Sequence, residues 1–125
     1  MNTFLDPHWA DEEKKKTMAQ VYAAAPEAWK KDAYNAVRIA AFLLPEVISD
    51  DVWKILWKPQ EPRALGPIMG AMARAGWIQT TGKQEKTAQV TRHNTGVNVW
   101  KSLVYDKAPS EWQPTLNAWK SFFQE

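Results

Sequence analysis

Cysteine is absent from this 125-residue chain, which excludes a disulfide framework and thiolate chemistry. The two histidines, His8 and His93, stand far apart and give no metal-ligand spacing. No run of about 18 apolar residues occurs, so no membrane span is expected. Residues 1–6 lack the basic-then-apolar order of a secretion signal. There is no Gly-x-x-x-x-Gly-Lys phosphate loop and no Gly-x-Ser-x-Gly nucleophile elbow. No internal repeat or low-complexity segment is visible. These absences describe a protein that needs no cofactor and no metal, shows no signature of an enzyme, and fits the reducing cytoplasm.

What is present is apolar and aromatic. The chain is 45% hydrophobic and carries eight tryptophans, enough for a packed core in one domain. Its net charge of +2 conceals an uneven distribution. Residues 63–101 hold Arg63, Arg74, Lys83, Lys86, Arg92 and Lys101 against Glu85 alone, whereas the flanking segments are slightly acidic. A local field of one sign attracts polyanions even when the total is near neutral.

The pattern reads as an α+β domain with extra helices at both ends. Asp6 and Pro7 can open a peripheral helix that ends before Pro26, taking up residues 1–25. Residues 26–44 form the scaffold helix, with Trp29, Ala33, Ala36, Val37, Ala40, Leu43 and Leu44 recurring at helical spacing. Pro45 stops it. Glu46, Val47 and Ile48 can pair as a small third strand. A short helix follows over residues 49–56, with Ser49 as the capping hydroxyl and Asp50 and Asp51 complementing its dipole. Those two aspartates could also be imagined as nuclease metal ligands, a reading far weaker than dipole complement. Pro59 and Pro62 then punctuate a turn.

A second helix over residues 63–75 buries Leu65, Ile68, Met69 and Met72, with Pro67 in its first turn. Its opposite face carries Arg63, Gly66, Pro67, Gly70, Ala71 and Arg74. That face is small, lacks Asn or Gln to read adenine, and suits close approach to a phosphate backbone with weak base discrimination. Tight helix packing within the protein is the other reason to place glycines there. Strand-like runs at residues 77–81 and 97–103 bracket a long polar tip over residues 82–96. On this hairpin Lys83, Lys86, Arg92, His93 and Lys101 are candidates for phosphate contact, and a plain solvated loop is the alternative.

Three patches carry a resemblance: residues 48–52, residues 65–78 (Leu-Gly-Pro-Ile-Met-Gly-Ala-Met-Ala-Arg-Ala-Gly-Trp-Ile) and residues 99–103 (Val-Trp-Lys-Ser-Leu). Together they resemble winged helix-turn-helix DNA-binding proteins of the bacteriophage type. The resemblance implies a winged-helix core over residues 26–105, a β-hairpin wing, and double-stranded DNA as partner. It further implies a role in transcription regulation or DNA replication in the host cell cytoplasm. The rival reading is a protein–protein adaptor on the same fold, acting on a host or phage protein.

After a connector over residues 104–109, the C-terminal segment 106–125 holds a last helix capped by Ser110. Trp112, Leu116, Trp119 and Phe123 follow one another at steps of four, three and four, giving a narrow apolar seam. It can fold back on the scaffold helix or form a homodimer contact, since a seam this aromatic is a liability in water.

Overall fold

The computed structural model describes residues 18–60, 62–86 and 96–123. Its elements are α1 (Met18–Ala24), α2 (Glu27–Leu43), β1 (Glu46–Val47), α3 (Ser49–Trp53), α4 (Leu65–Arg74), β2 (Ile78–Lys86), β3 (Gly96–Ser102) and α5 (Gln113–Trp119). The architecture is mixed helix and sheet. The three strands are antiparallel in the order β1-β3-β2. The part of the expected N-terminal helix before Met18 lies outside the described residues.

Helix α2 is the scaffold, as its periodicity indicates. Trp29, Ala33, Val37, Ala40 and Ala41 are fully covered. The alanines let neighbouring elements approach closely, and the core they line also takes in Val47, Val52, Leu65, Ile68, Met69, Met72 and Ile78. Each of the larger side chains among these contributes about 1.5–3 kcal/mol by leaving water. The expected buried face of the second helix is thus the observed one. That helix begins with a 3-10 turn at Pro62–Ala64, and Pro67 falls in the first turn of α4, where backbone N–H groups have no intrahelical partner.

Gly76 terminates α4 at φ +88°, with Trp77 N–H bonded to Met72 O and Gly76 N–H to Ala73 O. This paired closure needs a left-handed residue, which glycine supplies without strain. The chain then enters β2 directly.

Three local expectations are corrected. Ser49 does not cap α3: the Ile48 N–H donates to Asp51 Oδ2 at 2.9 Å, and Ser49 Oγ is buried with no hydrogen-bond partner among the described residues. The Asp51 carboxylate at the third helical position reaches back to the N-cap N–H, the half of a capping box that needs no hydroxyl. Helix α3 also ends at Trp53, earlier than residue 56, because Ile55 N–H turns to Val52 O and tightens the chain ahead of Pro59. Ser110 does not cap the last helix either. Pro109 holds the cap position of a 3-10 turn at Ser110–Trp112, and the α-helix begins at Gln113.

The hairpin departs from a simple strand and tip. Strand β2 runs on from the strand-like stretch at residues 77–81 to Lys86. Thr80 pairs with Trp100 and Gln84 with Asn98, so Thr81, Gly82 and Lys83 bulge against Val99 alone. Thr81 Oγ1 donates to Val99 O at 2.7 Å and accepts the Lys83 N–H at 3.1 Å. Gly82 at φ +77° makes the bulge possible.

Candidate functional site

The outer side of α4 faces a crease shared with α1 and α2. Gly66 and Arg74 are exposed there, and Pro67, Gly70 and Ala71 are half-buried. With Tyr22 of α1 and Tyr34 of α2 they line an open groove of 540 Å³. A methyl group at Gly70 would meet only Arg74 Nη1, at 3.5 Å, an ordinary contact with the end of a flexible side chain. Internal packing therefore does not require glycine at this position, although glycine in a helix costs about 1 kcal/mol against alanine.

The two tyrosines join the helices across this crease. Their hydroxyls lie 3.2 Å apart and share one hydrogen bond, which leaves one of the two O–H groups able to donate outward. The bond to Tyr22, followed by burial, raises the Tyr34 pKa above its ordinary 10.0, while Arg74 and Arg38 pull it the other way. Lys30 stands over the Tyr22 ring at 4.2 Å and pairs with Glu27 at 3.1 Å, a support that holds the ring in place. The crease thus combines a cation, neutral donors and bare backbone.

The candidate residues fall into separate groups. Gly66, Gly70 and Arg74 share the crease, and Arg63 is exposed in the turn that precedes α4. Val47 and Trp100, opposite each other in the sheet, pack on the core, so alternation turns Glu46 and its partner Lys101 to the far face. There Lys83 Nζ meets Glu46 Oε2 at 2.8 Å, and this hydrogen bond to a carboxylate raises the lysine pKa. Lys83 and Lys101 therefore both neighbour an acidic group on a surface separated from the crease by the sheet. The Lys86 side chain, Arg92 and His93 lie outside the described residues.

The aromatic seam lies against its own chain. Leu116 is buried with Ile39 and Phe42, and Trp112, Trp119 and Phe123 pack around that cluster. Trp112 meets Phe42 with ring centroids 5.3 Å apart. The last helix thus folds back on the scaffold helix α2.

Compared with family models, with curated proteins and with solved structures, the chain matches none. No helix among the described residues is long and apolar enough to cross a membrane. No three His, Asp or Glu side chains among them gather as metal ligands.

Taken singly, Tyr22 and Tyr34 carry no functional signal in the sequence, and Glu46 reads there only as part of a short strand. Tyr34 and Arg38, four residues apart on α2, share a helix face, which was the available signal. Nothing in the sequence links Glu46 to Lys83, because the bulge that joins them is a tertiary feature.

Proposed function

We propose that this chain is a winged helix-turn-helix protein that binds duplex DNA mainly through its phosphates, with little discrimination between bases. The order α2, β1, α3, α4, β2, β3 with β3 central in the sheet resembles the plan of such a domain. The observation that carries the reading is the α4 crease, where a glycine not needed for packing sits beside Arg74 and the Tyr22–Tyr34 pair. Arginine and tyrosine donors suit phosphate oxygens, and bare helix backbone permits close approach.

The neighbouring helix argues for phosphate contact over deep base reading. Helix α1 packs beside α4 and the turn before it. A helix with side chains is about 10–12 Å wide, and a B-DNA major groove is about 12 Å wide. A side-by-side pair does not enter such a groove, so α4 meets its rim. A role in phage regulation or replication fits a binder of this kind.

The test is duplex affinity measured across a salt series. Arg74→Ala should weaken unrelated duplexes alike and lower the salt slope by about one unit. Gly70→Ala should raise stability by about 0.5–1 kcal/mol while weakening binding, since its methyl group stands in the crease. Absence of duplex binding at low salt would reject the reading. The adaptor alternative draws on the apolar Tyr, Pro, Gly and Ala lining of the same crease. Capture of a protein partner that Gly70→Ala abolishes, without any DNA binding, would favour it.

A further inference from the structure

Trp57, in the segment after α3, is 50% exposed yet tethered at two points. Its carbonyl accepts the indole N–H of the fully buried Trp29 at 2.8 Å. Its own Nε1–H donates to Asp32 Oδ2 on α2 at 2.9 Å. A large ring left half in water forgoes part of the stabilisation of burial, and fixing its rotamer costs entropy as well. The tethers hold it as one wall of an open cleft of 460 Å³ between α2, the residues after α3, and α5.

Trp112 and Trp119 contribute two further indoles to this cleft, and Ile39 and Ile55 contribute aliphatic surface. Asp32 is the one charged group among the described residues lining it. The Trp57 bond engages a single oxygen of a carboxylate that has about four acceptor sites. Arg38 does not line the cleft; it donates to Asn35 Oδ1 and ends over the Trp77 ring at 5.5 Å.

Three indoles and one carboxylate lining the same cleft suit a cation on an apolar body. Ring faces attract cations, and the carboxylate supplies a charged hydrogen-bond acceptor. The volume falls within the range of small-molecule sites, about 300–1,000 Å³. An anion would be repelled by Asp32, and a neutral apolar ligand would strip water from that carboxylate without compensation. We infer that this cleft binds a small organic cation, an amidinium, guanidinium or alkylammonium group carried on a flat apolar body. The cleft has room for such a body beside the charge, which a lone arginine or lysine side chain lacks. The inference concerns a surface other than the α4 crease and stands independently of DNA binding.

Benzamidinium is the probe, titrated into the full chain up to about 10 mM, the affinity range expected of so small a ligand. The indole N–H signals report binding in proton–nitrogen NMR spectra, with Trp57 assigned through Trp57→Phe. Saturable shifts of the Trp57, Trp112 and Trp119 signals are expected. Benzyl alcohol, benzoate and N-acetyl-arginine amide should bind about fivefold more weakly or worse. Asp32→Asn keeps an acceptor oxygen for Trp57 and should lower benzamidinium affinity about fivefold while leaving benzyl alcohol unaffected. Trp57→Phe, which removes the tether at an exposed position, should weaken benzamidinium as well. A titration without saturable shifts overturns the inference. So does equal binding of benzyl alcohol, arginine amide binding as tightly as benzamidinium, or unchanged affinity in both variants.

Discussion

Single residues in this protein take roles that their types alone do not assign. Ser49 and Asp51 show how. Serine is a favoured helix cap, and its place at the head of α3 suggests that function. In the folded chain Asp51 serves the Ile48 N–H, and Ser49 Oγ is left without a hydrogen-bond partner among the described residues. The two substitutions should therefore differ in sign of effect. Asp51→Ala should cost about 1 kcal/mol in urea unfolding, the usual net worth of an intramolecular hydrogen bond. Ser49→Ala should be neutral or stabilising, because it deletes an unsatisfied hydroxyl. A loss of 1 kcal/mol or more from Ser49→Ala would show that the hydroxyl has a partner after all.

Elements divide by how much of their pattern lies in the chain itself. The buried face of α4 was legible because Leu65, Ile68, Met69 and Met72 repeat at helical spacing and nothing competes for that face. The place of α1 was not legible. Its apolar residues are sparse, and it meets α2 through Tyr22, whose hydroxyl bonds that of Tyr34 and whose ring lies under Lys30, contacts that no periodicity announces. The C-terminal seam was legible as a seam but not as to its occupant, since a helix with one apolar stripe can cover its own chain or a second copy. In the structure Leu116 closes on Ile39 and Phe42. Leu116→Ala should then cost about 2–4 kcal/mol in stability at any protein concentration. A cost that shrinks on dilution, followed by sedimentation, would instead assign the seam to an intermolecular contact.

At the scale of the molecule, the described candidates for phosphate contact and the groups with shifted pKa values fall on two surfaces. The basic stretch of residues 63–101 looks continuous in sequence, but the sheet separates Lys83 and Lys101 from the α4 crease, and Glu46 offsets them locally. Arg74 therefore carries more of the proposed phosphate contact than its share of the sequence charge suggests. The Tyr22–Tyr34 bond ties α1 to α2 and gives stability an alkaline limit. Because the Tyr34 pKa is raised, this stabilisation is complete below pH 10.0 and is lost as pH rises through the raised value. Chemical unfolding at pH 8–11, the span bracketing a tyrosine's usual value of about 10, should show that decline in the native chain. Tyr34→Phe should remove the tyrosine component. An identical alkaline profile in the variant would exclude Tyr34 as its source.

The amino-acid sequence alone determined which stretches bury and which turn. Apolar periodicity, prolines and glycines act over a few residues, and those local preferences survive folding in α2, α4 and the strand pairs. Only the tertiary structure decided what the exposed residues face. The three-residue bulge carries Lys83 to Glu46, two tyrosines close the crease beside Gly70, and Asp32 holds Trp57 upright across 25 residues of chain. Each of these depends on elements distant in sequence arriving together, and the short-range periodicity of the chain contains no record of that distance.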